Sequence, residues 1–255
     1  MTNETHWPLI LGYHSINDNR EDGLAVKASD FERQIAWLHR KRYRSSTLAD
    51  FAKGLAERGE QTVVITFDDG YADNYTVAFP ILKRYGFVAT VFLVSDYVGQ
   101  KHVFWWDTSK IQAPGQESWY YPLNWSQIAE MKEHGIEFGS HTCTHPPRLT
   151  VLSDRQRWEE VHRSRQELEA RLGCEVSSFC YPRGDLDARL IGMVERAGYR
   201  TAVVTPPRPG IPFSRYTLRR ISIYRPNSKL VFRLKTWSFV RRNYERLRWM
   251  AKLRA

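Results

Sequence analysis

Thr62-Val63-Val64-Ile65-Thr66-Phe67-Asp68-Asp69-Gly70-Tyr71 is the stretch from which the fold can be read. Thr62 to Phe67 is a short apolar, β-branched run suited to a buried strand. It halts at Asp68-Asp69-Gly70, residues that suit a turn. Similar runs lie at Leu9–Tyr13, Phe87–Val94, Ile136–Phe138, Ser178–Tyr181, Thr201–Val204 and Leu218–Ile223. Helical patterns fall between them. Ser29-Asp30-Phe31-Glu32 predicts a capping box, followed by Phe31, Ile35 and Leu38 on one face. Asn124–His134, Ser153–Leu172 and Asp185–Ala197 each end at a glycine: Gly135, Gly173 and Gly198. Strand and helix alternating in this way imply parallel strands, since parallel neighbours need a crossover that is usually a helix. The expectation is an α/β fold, a (β/α) barrel of about seven parallel strands, with an open doubly wound sheet as its rival. Lys101–Pro122 fits no unit and carries Trp105, Trp106 and Trp119, so it reads as an insertion over one end of the sheet.

The chain has 255 residues, 42% apolar and 26% charged, enough for one sizeable core. The longest apolar run, Phe87–Val94, is far below the ~18 residues of a membrane span. Met1–Pro8 lacks the pattern of a secretory leader. Cys143, Cys174 and Cys180 form no C-x-x-C pair, which argues against a disulfide scaffold or a four-cysteine zinc site and fits a reducing cytoplasm. The formal net charge of +10 is concentrated at one end: residues 229–255 hold nine Lys/Arg against Glu245 alone. The body is close to neutral, so nucleic acid is not an expected partner. We divide the chain into a main domain, 1–227, and a basic amphipathic C-terminal helix, 228–255.

Three polar clusters stand where strands end: His14-Ser15 after Tyr13, Asp68-Asp69-Gly70 after Phe67, and Ser140-His141-Thr142-Cys143-Thr144-His145 after Phe138. In barrels and open α/β sheets these ends converge on one face, where active sites lie. His141 and His145, four apart, would point the same way on a helical turn, as two metal ligands must. Two imidazoles and a carboxylate hold a metal with a position left open for water. Of two adjacent aspartates, one can bind the cation and the other take a proton. Each cluster alone has a plainer reading, as a turn or a satisfied buried histidine. The three together point to a metal-dependent hydrolase.

Thr66-Phe67-Asp68-Asp69-Gly70 and Ser140-His141-Thr142-Cys143-Thr144-His145 resemble the first two motifs of the NodB-homology polysaccharide deacetylases, carbohydrate esterase family four. The resemblance spans roughly residues 9–223. It implies a distorted (β/α) barrel and metal-dependent hydrolysis of an N-acetyl group from an amino sugar, with a divalent metal, commonly zinc. By motif match Asp68 is the catalytic base, and Asp69, His141 and His145 are the metal ligands. Phe179-Cys180-Tyr181-Pro182-Arg183-Gly184 resembles the third motif, except that Cys180 stands where the family places an arginine that steadies the base. Arg219 or Arg220 could supply that charge. Tyr181, Pro182 and Arg183 would shape a loop whose backbone N–H groups face the oxyanion. Gly12-Tyr13-His14-Ser15-Ile16 resembles the rearranged poly-N-acetylglucosamine deacetylase subgroup, in which an N-terminal histidine is the acid. Protonated His14 would then donate to the departing amine. Trp105, Trp106 and Arg220 are candidate substrate contacts. The alternatives are an amidohydrolase acting on a non-sugar C–N bond and a non-catalytic sugar-binding module.

The expected partner is an N-acetylated glycan or glycolipid. In the basic tail Leu230, Leu234, Trp237, Val240, Tyr244 and Leu247 step by three or four, which predicts a helix with an apolar face. Such a helix packs on its own domain or lies on an anionic bilayer. The second case predicts a cytoplasmic protein held peripherally at the inner membrane face.

Overall fold

A computed structural model describes residues 8–54, 61–205 and 210–236. Its strands are β1 (Leu9–Tyr13), β2 (Ser15–Ile16), β3 (Ala25–Val26), β4 (Arg44–Ser45), β5 (Thr62–Phe67) and β6 (Thr90–Leu93), followed by β7 (Glu137–Ser140), β8 (Ser178–Cys180), β9 (Thr201–Val204), β10 (Leu218–Arg219) and β11 (Ile221–Ser222). The main sheet runs β10-β9-β8-β7-β6-β5-β1-β11, with β4 beside β5, and every pair is parallel. β10 and β11, at opposite ends of this order, flank Arg220. Leu218–Arg219 pairs with Val203–Val204, and Ile221–Ser222 pairs with Leu11–Gly12. One short segment therefore changes partners at Arg220 and brings the two sheet edges together. The result is a nearly closed barrel whose seam is Arg220.

The seven apolar runs all supply barrel strands, the last broken in two at this seam. Period-two alternation divides their side chains. Ile10, Val64, Phe92, Val203 and Leu218 form the inner cluster, closed at the N-terminal end by Leu48 of α2 (Leu48–Ala52). Leu9, Leu11, Val63, Ile65, Val91 and Leu93 join the outer layer under the helices α1 (Ala28–Arg40), α3 (Phe79–Arg84), α4 (Trp125–Glu133), α5 (Asp154–Trp158), α6 (Ser164–Leu172) and α7 (Ala188–Arg196). Glu137 fastens the closed end: its carboxylate accepts from Thr90 Oγ1 (2.7 Å), Ser178 Oγ (2.6 Å) and the Ala49 N–H (3.0 Å).

Asn124 and Ser153 cap α4 and α5 in full capping boxes with Gln127 and Gln156, and Asp187 caps α7. The box expected at Ser29 is absent. α1 starts two residues earlier, behind Lys27, the Ala28 N–H donates to Asp18 (3.0 Å), and Glu32 pairs instead with Arg84. A tertiary carboxylate has taken the role the local sequence offered. Ser153–Leu172 is also not one regular helix, because a π-helical turn, Glu159–Arg163, separates α5 from α6.

Gly139 of β7 marks a point where the wall leaves no room for a side chain. A Cβ there would lie 2.7 Å from Phe92 Cδ1 and 2.7 Å from the Ser178 carbonyl oxygen. Since that oxygen belongs to a strand, relief requires the wall to move. Gly139→Ala is expected to cost about 1–3 kcal/mol, read as a lower urea midpoint with an unchanged slope.

Candidate active site

Asp68 extends the inward row of Val64 and Thr66 past the C-terminal end of β5, so its carboxylate stands at the mouth of the barrel interior. There it meets the seam. Arg220 Nη1 and Nη2 donate to the two Asp68 oxygens at 2.6 and 2.7 Å, and Nη1 also donates to Thr66 Oγ1 (2.9 Å). Both partners are buried. Burial opposes the charge on Asp68, but the guanidinium outweighs it and holds the carboxyl well below the usual carboxylate range. Arg220 thus stands where the third motif lacks its arginine. Its Nη2 lies 3.2 Å from Cys180 Sγ, the very side chain that replaces it. Arg220 was expected among the substrate contacts; its guanidinium is instead committed to Asp68, Thr66 and Thr205.

Asp69, in the left-handed region at φ 70°, turns away from its neighbour toward the histidines. Its Oδ1 lies 3.6 Å from His141 Nε2 and 3.8 Å from His145 Nε2, too far for hydrogen bonds. Ligand atoms of the three residues lie within 4.8 Å of one another. Burial, and then the nearby Asp68 and Asp107 carboxylates, push the Asp69 carboxyl up. Burial keeps His141 and His145 neutral. His141 Nδ1 must donate to the Cys180 carbonyl oxygen (2.8 Å), because a carbonyl only accepts; this leaves Nε2 with a free lone pair. A buried carboxylate and two neutral imidazoles converging without bonding one another fit a divalent cation.

The two histidines do not share a helical turn. His141 follows β7, and the loop beyond it takes left-handed conformations at Thr142 (φ 71°) and His145 (φ 54°). Glu160, in the π turn, holds this loop by accepting from the Cys143 N–H (2.9 Å), the Thr144 N–H (3.0 Å) and Thr144 Oγ1 (2.6 Å). Nothing near the histidines in sequence signals that partner.

His14 sits across the cleft, its Nε2 3.7 Å from Asp68 Oδ2. It is held through its chain neighbours: Asn74 Nδ2 donates to the His14 carbonyl (2.9 Å), and Asp73 accepts from Ser15 Oγ (2.5 Å) and the Ile16 N–H (3.1 Å). Burial lowers the His14 pKa to about 4, against the pull of Asp68. Asp73 and Asn74 lie in the same run as Asp68 and could have been noticed there.

These groups line one cleft of about 420 Å³ together with Trp106, Lys110 and Tyr181. The insertion Lys101–Pro122 supplies a wall, as expected. The Trp106 ring packs at 4.3 Å between centroids on His145, and its Nε1 donates to Tyr71 Oη (3.2 Å). Asp107, fully buried, accepts from Tyr71 Oη (2.6 Å) and Lys110 Nζ (2.6 Å), while Arg20 lies over the Tyr71 ring at 4.5 Å. This backing layer has no local signature in the sequence. Trp105 is half-exposed, with Nε1 on the His145 carbonyl (3.2 Å) and the Arg183 guanidinium 5.7 Å above its ring. Trp119 lies in a separate groove beside Asp73. In the third-motif loop the Tyr181 N–H is taken by the Val203 carbonyl (3.3 Å). Gly184 and Asp185 use their N–H groups in the turn, and Arg183 sits at φ 55°.

The family model for polysaccharide deacetylase matches residues 56–202, and the chain belongs to that family. It is 32% identical over 201 residues to YxkH of Bacillus subtilis, assigned to the polysaccharide deacetylases, covering 78% of this chain and 64% of that protein. Poly-beta-1,6-N-acetyl-D-glucosamine N-deacetylase of Escherichia coli K12 is 30% identical over 154 residues, 54% of this chain and 22% of that one. The chain thus spans under two thirds of either relative. Among solved structures, Streptococcus pyogenes deacetylase PplD in complex with acetate superposes with a TM-score of 0.73 at 25% identity, over 90% of this chain and 97% of that one.

Removing one partner of a buried ion pair leaves the other charge stranded. Arg220→Gln is expected to lose about 3–5 kcal/mol at pH 7 by urea unfolding. The Asp68 carboxyl is depressed in the folded state, so its contribution is present above the ordinary carboxyl pKa of about 4 and fades as pH falls further. The gap between wild type and variant should therefore shrink below that pH.

Proposed function

We propose that the protein is a metal-dependent N-deacetylase, hydrolysing the N-acetyl group of an amino sugar in a polysaccharide or glycan precursor and releasing acetate. The observation that carries this reading is one cleft holding a convergent Asp69–His141–His145 set beside a charged Asp68 fixed by Arg220. The family match, and the relative named for poly-N-acetylglucosamine, support the amino-sugar substrate.

Asp69, His141 and His145 would hold the cation, for which zinc suits two imidazoles and one carboxylate. When bound, such a metal polarises the acetyl carbonyl and makes water more acidic. Asp68 is the base. Arg220 keeps it ionised and aims it; Oδ1 also accepts from the Cys180 thiol (3.5 Å), which leaves Oδ2 with a lone pair to accept a proton from the attacking water.

His14 is the acid, but as a relay. With its pKa near 4 it is neutral at pH 7 and does not arrive charged. The proton it gives must be taken up within the cleft during turnover, where Asp68 Oδ2 faces its Nε2 across 3.7 Å, a gap that must close for direct transfer. Without that proton, C–N cleavage would expel a poor leaving group. In the Tyr181-Pro182-Arg183 loop the Arg183 N–H is the donor left to face the oxyanion, since Pro182 has none and that of Tyr181 is engaged. Trp106 walls the acetyl side of the cleft, and Trp105 with Arg183 offers an outer shelf for a sugar ring.

Acetate release from N-acetylglucosamine oligomers, measured beside metal content, separates these roles. Asp68→Asn should keep its zinc and lose about 100- to 10,000-fold in turnover. His14→Ala should also keep zinc while turnover falls, and His141→Ala should lose both. Near-normal turnover in Asp68→Asn would refute the base assignment.

A further inference from the structure

The last described helix, α8 (Lys229–Thr236), is anchored by one face only. Phe232 is buried and meets Trp37 of α1 edge-on, with ring centroids 5.8 Å apart. Lys235 Nζ donates to the Ser222 carbonyl (2.7 Å) and to Asn227 Oδ1 (2.8 Å). The outer face carries apolar side chains instead of polar ones. Among the described residues six large apolar side chains are exposed, and four of them are Tyr224, Leu230 (66%), Val231 and Leu234 (45%). Leu230 and Leu234, four apart, stand on the same side of the helix. Lys229 and Arg233, also four apart and exposed, flank this ridge, and exposed Arg40 of α1 joins them along the adjoining groove. α8 contains no acidic residue, and residues 237–255 carry six more Lys/Arg against Glu245.

We propose that the α8 ridge is a docking surface for an anionic lipid bilayer, with Leu230, Val231 and Leu234 entering the headgroup boundary and Lys229 and Arg233 meeting lipid phosphates. An apolar ridge framed by cations has the chemistry of an interfacial helix. A protein-binding patch would carry less lysine beside its apolar centre, and a nucleic-acid surface would have no use for the ridge. Position adds to the argument. Tyr224 lines the cleft mouth, Lys235 Nζ lies 5.6 Å over its ring, and the chain runs from Arg220 through Tyr224 into α8. Docking would set the cleft beside the membrane, within reach of a glycan carried there; this consequence alone rests on the deacetylase reading.

The test is sedimentation of the full chain with vesicles of phosphatidylglycerol and phosphatidylethanolamine, or of phosphatidylcholine alone. The protein should pellet with the first, less so in high salt, and stay in solution with the second. Leu230→Gln/Leu234→Gln should cut the bound fraction about tenfold, as should Lys229→Gln/Arg233→Gln. Acetate release from a soluble oligomer and the thermal midpoint should be unchanged in both. Failure of the wild type to pellet on anionic vesicles overturns the proposal. So does equal pelleting of the leucine variant, which would place binding in residues 237–255. A leucine variant that melts earlier yet pellets normally overturns it as well, since the ridge is then covered by the protein's own chain. Because the readout is binding, it can fail while deacetylation stands, and the reverse.

Discussion

The bidentate pair between Arg220 and Asp68 joins three things that otherwise have no reason to coincide. It is made at the one point where the chain leaves β9 for β1, so it lies on the seam that closes the barrel. It orients the carboxylate at the end of β5, and it fills the space around Cys180 that a smaller side chain leaves. Two buried charges repay their desolvation only with good geometry and further hydrogen bonds. Thr66 and Thr205 provide those here. Barrel closure and the charge state of Asp68 are therefore one constraint.

The same pair settles how two adjacent aspartates take different parts. In a buried site two neighbouring carboxylates cannot both ionise without compensation. Arg220 satisfies Asp68, leaving Asp69 as the carboxylate without a cation of its own, facing two neutral imidazoles. Cys180 contributes through its backbone, where its carbonyl fixes the His141 tautomer. Its thiol, pushed well above the usual range by burial, brings no charge that would compete.

Where the argument from sequence succeeded, it rested on local patterns. Apolar runs that halt at His14, Asp68 and His141 put the polar clusters at strand ends, and glycines after the helices mark their ends. It could narrow the compensating charge only to Arg219 or Arg220, because the choice depends on a change of sheet partner that a six-residue run does not encode. Glu160 holding the His141–His145 loop, Asp18 displacing the Ser29 box, and Asp107 under Tyr71 were illegible for a common reason. Each is a carboxylate meeting backbone or hydroxyl groups far away in the chain, and such contacts leave no periodicity. Of the helical face extending through Trp237, Val240, Tyr244 and Leu247, only Leu230 and Leu234 fall within the described residues.

The central claim is that this cleft cleaves the C–N bond of an N-acetyl group with the help of a metal. A paired count of acetate and new primary amine from a poly-N-acetylglucosamine oligomer tests it most directly. The account predicts equal molar amounts of the two, abolished by a chelator and restored by zinc. Acetate without matching amine would mean ester cleavage, and neither product from metal-loaded protein would mean another substrate; either result would contradict the account.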